Sequence, residues 1–252
     1  MLLAEPQENV AKRGLKSSHC GSSLLLEFAS RQRLRTYRSR QVVLHQSDCT
    51  DHVLIVVNGW AELVQHFADG RRQILSLALQ GDLCTSNLSA HARTDYSITA
   101  ITPLTISIIG KFEFRTLLTG HPKLARTFWR NQLLTLSIQR RWTANLGQMG
   151  AMERIAHLMC ELYTRQEKMG HVNGNTCPFP LTQTQIADAC GLTQVHTNRV
   201  IQELRRQQLI DLRSKRLCIK SLRELCAVAQ FDAGYLELAE PEVPLFDAQI
   251  AS

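Results

Sequence analysis

Leu181-Thr-Gln-Thr-Gln-Ile-Ala-Asp-Ala-Cys-Gly-Leu-Thr-Gln-Val-His-Thr-Asn-Arg-Val-Ile-Gln-Glu-Leu204 is the stretch that decides how this chain folds. Thr182 followed three residues later by Gln185 is a capping-box pattern, so a helix starts there. Ile186 and Ala187 face inward, and the small alanine lets a second helix cross closely. Cys190-Gly191-Leu192 ends the first helix, because glycine leaves a helix through a left-handed conformation at least cost. Thr193 caps a second helix whose buried side is Val200, Ile201 and Leu204. Leu209–Leu212 and Arg216–Ile219 then read as two short strands around Arg213-Ser214-Lys215. The expected unit is a helix-turn-helix followed by a wing with a cationic tip.

Gln194, Val195, His196, Asn198, Arg199 and Gln202 project from the second helix, which makes them candidates for reading base edges. Arg199 has the fork that matches guanine O6 and N7, Asn198 or Gln194 the amide that matches adenine, and Val195 an apolar tip for a thymine methyl. Thr182 and Thr193 at the helix starts, with Lys215 and Arg216 in the wing, are the accompanying candidates for phosphate contact, and Gln183 is a further DNA-binding candidate. From Phe179 to Arg223 eight cationic side chains stand against Asp188, Glu203 and Asp211, so much of the chain's formal +7 lies in this segment. Double-stranded DNA is the partner such a distribution fits.

Upstream, Lys123–Gln148 is interrupted by glycine only at Gly147 and reads as one long helix. Leu134, Ile138, Trp142 and Leu146 form one stripe; Trp129, Leu133 and Leu136 form a second. A helix apolar on two sides needs two partners. Its own β-domain and a second copy of the chain would supply them, which favours a homodimer, and packing wholly within one chain is the alternative. Gly147 and Gly150 break the helix, Ala151–Met169 restarts it, and Gly170–Pro180 is a loop. From about Leu24 to Ile109 short β-like stretches alternate with turns, most clearly in Ala61–Leu79, where Asp69-Gly70 suits a tight hairpin. Asn58-Gly59 and Gly81-Asp82 mark further corners. Past Gln230 the chain has acids and prolines but no Lys or Arg, so a mobile tail is expected.

The resulting fold class is α+β. Its parts are an N-terminal extension (1–23), a β-roll or jelly-roll sensor domain (24–120), a long dimerisation helix (121–148), a C-terminal winged helix-turn-helix domain (149–225) and an acidic tail (226–252). The hydrophobic share of 44% and charged share of 20% are those of a globular protein, and no run approaches a membrane span. The stretch Met1–Gly14 lacks the apolar core of a secretory signal, so a cytoplasmic location is expected. In that reducing compartment the eight dispersed cysteines read as mostly free thiols. No Gly-rich phosphate loop, nucleophile elbow or paired-acid motif supports an enzyme.

On the Leu181–Leu204 motif the chain resembles the CRP/FNR family of bacterial transcription regulators, and the resemblance extends over about Leu24 to Leu225. It implies a cyclic-nucleotide-binding-like roll, a dimer helix, and a winged helix that recognises a palindromic promoter site, with RNA polymerase as a further partner. Two recognition helices would then enter successive major grooves roughly 34 Å apart. Several positions depart from the family pattern. Where many members carry Glu one turn before an Arg, this chain has Val195, which cannot accept a hydrogen bond from cytosine N4. The segment that holds a cyclic nucleotide is matched only weakly by Gly81, Asp82 and Leu83 and by Arg93 and Thr94, and Asp95 would set a negative charge beside a phosphate. Cyclic AMP dependence is therefore not expected. Cys20 lacks the near neighbours of an iron–sulfur site, and His45, Cys49 and His52 lack zinc spacing. No cofactor or metal is expected. Cys190 has two readings: a small apolar residue filling the turn, or a redox-sensitive thiol whose pKa is lowered by the following helix and nearby cations. A sensor acting only through protein contacts is the competing function.

Overall fold

Alternation explains why the strands of the roll are apolar on both faces. A computed structural model describes residues 20–85, 88 and 93–236. In it β1 (Arg33–Tyr37), β7 (Leu104–Gly110) and β3 (His52–Asn58) form one antiparallel sheet in the order β1-β7-β3. A second sheet has the order β2-β6-β4-β5, from β2 (Val42–Leu44), β6 (Ser97–Ala100), β4 (Ala61–His66) and β5 (Arg72–Ala78). Leu54, Val56, Leu63, Ile98 and Ile106 fill the space between the sheets. Their neighbours Val53, Ile55 and Ile109 turn outward, as a period of two requires, and are buried under helices instead. The hairpin expected at Ala61–Leu79 is β4–β5, with Gly70 at φ +83° in the turn.

The chain enters the roll through a helix, α1 (Cys20–Ser30), where a β-like stretch was expected. Leu24-Leu25-Leu26-Glu27-Phe28 is too short an apolar run to distinguish the two by periodicity. Tertiary packing decides: Leu25 and Ala29 are fully buried against Phe114 and Phe128. Those rings belong to α2 (Lys111–Gly120) and α3 (Pro122–Gln148) and meet edge-on at 5.4 Å. Pro122 opens α3, where a missing N–H costs nothing.

The two stripes of α3 part over most of their length, with Leu146 at the end of the first left 37% exposed. Ile138 and Trp142 are buried in a core shared with Val64, Ile74 and Leu77 of the roll. Trp129, Leu133 and Leu136 stay 44%, 53% and 41% exposed, an unpartnered apolar face. After Gly150, whose N–H donates to Glu153 Oε2 at 2.6 Å, α4 (Ala151–Lys168) runs through the middle of that same core. The expected loop Gly170–Pro180 contains a short strand, β8 (Thr176–Pro178). It completes a three-stranded sheet of order β8-β10-β9 with β9 (Ile210–Arg213) and β10 (Arg216–Ile219).

The end of the described chain also corrects an expectation. Beyond α7 (Leu222–Val228), the chain up to Leu236 packs against the body through several side chains and closes with a 3₁₀ turn (Ala233–Leu236). Composition foretold solvation, but three side chains override it. Leu236 is buried, Phe231 meets the His157 ring edge-on at 5.1 Å, and Tyr235 stacks on it at 5.9 Å. The Tyr235 hydroxyl donates to Glu161 Oε2 at 2.7 Å, and Arg141 lies over the Tyr235 ring. Glu237, Glu240, Glu242 and Asp247 lie outside the described residues.

His157 gives this packing a pH dependence. Burial first, then the charge of Arg141, lowers its pKa to about 4, against about 6.5 in an unfolded chain. The unfolded state therefore holds the extra proton between these values. The contribution is fully present above about pH 6.5 and is lost as pH falls toward 4. Between pH 7.5 and pH 5 the loss is about 2 kcal/mol. Urea unfolding of His157→Phe should show a pH slope shallower by that amount; equal slopes would refute it.

Candidate nucleic-acid interface

The interface is assembled from caps outward. At the start of α5 (Gln183–Cys190) the Thr182 hydroxyl accepts from Gln185 N at 3.2 Å, and Gln185 Oε1 accepts from Thr182 N at 2.9 Å. The reciprocal bonds satisfy two of the helix's otherwise orphaned donors. Gly191 leaves the helix at φ +61°, and Leu192 N closes the turn on Ala187 O at 3.0 Å. A Cβ at Gly191 would also sit 3.0 Å from Leu146 Cδ2, so the last turn of α3 approaches this corner as only glycine allows. Thr193 then accepts from His196 N at 3.2 Å and starts α6 (Gln194–Arg206). Val200, Ile201 and Leu204 are buried and Thr197 joins them.

The opposite face of α6 presents Gln194, Val195, His196, Asn198, Arg199 and Gln202 to solvent. Two of these are held in place by α5: Asn198 Nδ2 donates to Gln183 Oε1 at 3.2 Å, and Thr184 donates to Gln194 Oε1 at 3.3 Å. Val195 is 64% exposed, an apolar tip in the first turn. Beneath it a surface depression is lined by Met152, Thr193, Val195, His196 and Arg199. Met152 was invisible to sequence reasoning, because it belongs to α4 and reaches the depression only through the fold.

Counting cations overstates what is available. Arg206 makes a bidentate pair with Glu203 at 2.6 and 2.8 Å, which holds the Glu203 carboxyl down at about 2. Arg213 pairs with Asp211 at 3.0 Å, and Arg205 donates to Leu212 O. Among the described residues Arg199, Lys215, Arg216 and Arg223 keep no carboxylate partner, and all four are exposed. The wing tip Ser214-Lys215 has φ of 49° and 59°, the left-handed pair of a tight hairpin turn. Phe179 N donates to Lys215 O at 2.7 Å and anchors that tip to the body.

α5 is also fixed from behind, by residues that sequence reasoning missed. Glu62 on β4 is nearly fully buried; its two oxygens accept from Arg72 Nη2 at 2.6 Å and Gln185 Nε2 at 2.7 Å. Arg72 Nε lies 2.8 Å from Asp188 Oδ2, and Gln73 Nε2 donates to Ala189 O at 3.4 Å. The one available signal was an acid in the apolar run Ala61-Glu62-Leu63-Val64. A second link runs from α4: Arg165 pairs with Asp82 and donates to Leu77 O at 3.1 Å.

Those contacts bear on a cyclic nucleotide. Asp82 is engaged twice, by Arg165 and by Leu79 N at 2.7 Å. Arg93 donates to Ser47 O at 2.9 Å and the Thr94 hydroxyl to His45 O at 3.1 Å. Gly81 sits in a corner at φ +88°, Leu83 bridges to Ile55, and no described contact brings this corner together with Arg93 or Thr94. Asp82, Arg93 and Thr94 are thus each engaged by groups of the protein itself. Cys190 departs from the lowered pKa considered for it. It is buried, and burial pushes its thiol up to about 12 despite Arg154, which donates to Cys190 O at 2.8 Å. Among the described residues no group of three His, Cys, Asp or Glu is placed to hold a metal ion, and no helix is long and apolar enough to cross a membrane.

Comparison with known proteins accords with this geometry. Residues 34–121 match the model of the cyclic nucleotide-binding domain, and residues 153–228 that of the Crp-like helix-turn-helix domain. The chain is 31% identical over 202 residues to the transcriptional activator protein FnrL of Cereibacter sphaeroides, covering 79% of this chain and 81% of that protein. It is 31% identical over 190 residues to the nitrogen fixation regulation protein FixK of Bradyrhizobium diazoefficiens, covering 75% and 78%. The structure of FixK2 from Bradyrhizobium japonicum superposes with a TM-score of 0.70 at 21% identity, covering 78% of this chain and 96% of that one. With a roll, a long helix and a capped, winged helix-turn-helix in the same order along the chain, this protein belongs to the CRP/FNR family of DNA-binding transcription regulators.

Proposed function

We propose that the protein acts as a homodimer that reads an inverted repeat near promoters without cyclic AMP. Residues 24–120 serve as the roll, 121–148 as the dimer helix and 149–225 as the DNA-reading unit. The observation that carries this reading is α6, which presents Arg199 without an acidic partner beside Val195 and the pre-set Asn198. Phosphate contacts from Thr182, Thr193, Lys215 and Arg216 fix the register; Gln194, Val195, Asn198, Arg199 and Gln202 specify sequence. The exposed Trp129, Leu133 and Leu136 supply an apolar face for the second copy. RNA polymerase, in the cytoplasm, is the partner through which occupancy of such a site reaches transcription.

Selection of bound sequences from a random duplex library, with and without cyclic AMP, tests this. An inverted repeat enriched equally in both arms is expected. No enrichment in either arm, or enrichment only with cyclic AMP, would overturn it.

A further inference from the structure

Two thiols far apart in sequence meet behind the helix-turn-helix. Cys160 lies on the inner face of α4 and is fully buried, whereas Cys226 on α7 is partly exposed. Their sulfur atoms are 3.8 Å apart, in van der Waals contact. The segment between them contains β8, α5, α6, β9 and β10, which is the entire helix-turn-helix with its wing. We infer that Cys160 and Cys226 are a redox-active dithiol that closes to an intramolecular disulfide when a peroxide reaches the protein, stapling the DNA-reading unit into a covalent loop.

Exposure sets the order of events. Cys226 is the sulfur that an oxidant reaches; its thiolate attacks the peroxide, the O–O bond breaks, and a sulfenic acid and one water form. Cys160 then attacks the Cys226 sulfur, the S–OH bond breaks, and the departing hydroxide takes the Cys160 proton to leave as a second water. In sum two thiols and one hydrogen peroxide give one disulfide and two waters. Burial beside Cys226 pushes the Cys160 thiol well up, so it is inert as a first nucleophile and acts only once the sulfenic acid stands against it. Bond formation brings the sulfurs less than about 2 Å closer. Neither cysteine lies on α6, so the recognition face keeps its shape. Nearby, Phe231 N donates to Cys226 O at 2.9 Å, and the same bridge thereby anchors the start of the packed tail.

Hydrogen peroxide treatment of the full-length protein, followed by alkylation of remaining thiols and peptide mass mapping without reduction, tests the assignment. The expected product is a peptide pair linked through Cys160 and Cys226 in a monomer-sized chain. Closing so long a loop should raise Tm by roughly 8 °C, reversibly with dithiothreitol, with affinity for the selected duplex changed less than twofold. Cys226→Ser should abolish both the linked peptides and the Tm rise. Sulfinic acid on Cys226 without linkage, Cys226 joined to another chain, or linkage that leaves Tm unchanged would each overturn the staple. Loss of DNA binding on oxidation would overturn the claim that the recognition face is spared, leaving the DNA-binding reading of the reduced protein intact.

Discussion

Replacing Arg199 by alanine is expected to weaken binding to the enriched inverted repeat by about 100-fold or more while leaving stability unchanged. A bidentate guanine contact is worth about 1–3 kcal/mol, and a dimer loses two. The protein itself loses nothing comparable, because Arg199 is exposed and has no acidic partner among the described residues. Arg199→Lys separates the two roles a cation can have here. If Arg199 reads a base, lysine keeps the charge but loses the fork, and preference at one position of each half-site relaxes. If it only neutralises phosphate, lysine restores affinity, and the alanine variant lowers the salt slope uniformly across sequences. Fluorescence anisotropy on the selected duplex and on single-position variants, at several salt concentrations, distinguishes these results. Unchanged affinity for Arg199→Ala would remove α6 from the recognition role.

Val195 sharpens the same expectation. An exposed valine in the first turn of α6 has no acceptor for a cytosine amine, so its preference is a thymine methyl or none. The base it faces should differ from that read by family members with glutamate there. Asn198 has less freedom than its exposure suggests, since Gln183 already accepts one of its amide hydrogens.

What the sequence disclosed was local, and what it hid was long-range. The capping box at Thr182, the left-handed exit at Gly191 and the β4–β5 hairpin at Gly70 each depend on residues within a few positions of one another. Residue type alone therefore carried them. The Glu62–Arg72–Asp188 cluster joins residues more than one hundred positions apart, and nothing in the spacing announces it. The ordering of Phe231 and Tyr235 was hidden for the same reason: their partners His157 and Glu161 lie on α4. For Cys190 the two readings pulled in opposite directions, and the buried residue filling the turn prevails because burial is a larger effect than the neighbouring charge of Arg154. The cation count from Phe179 to Arg223 was correct as arithmetic, yet Arg206 and Arg213 are held by acids three and two residues away.

The largest loss of stability is expected for Arg165→Ala. Arg165 reaches three acceptors at once: it pairs with Asp82, donates to Leu77 O, and stands 4.0 Å from Glu161. Glu161 is fully buried. Its Oε2 accepts from Trp142 Nε1 at 3.0 Å and from the Tyr235 hydroxyl. Burial already raises its pKa, and Arg165 opposes that rise. Removing the guanidinium takes the nearby counter-charge from the buried Glu161 and the direct partner from the partly exposed Asp82, a change that costs about 3–5 kcal/mol. Urea unfolding at neutral pH should record that loss. Arg165→Ala combined with Glu161→Gln should recover part of it, because the uncompensated charge is gone while an acceptor for Trp142 remains. A loss below about 1 kcal/mol, the size of a solvent-screened surface pair, would show that water reaches Glu161 and that the buried network is not what holds α4 to the roll. The same variant tests the coupling between the two halves of the molecule. Arg165, the Glu62–Arg72 cluster and Gln73 are polar links from the roll to the DNA-reading unit. A protein that stays folded without Arg165 should therefore show faster hydrogen exchange along α4 and α5 than in β3 or β7.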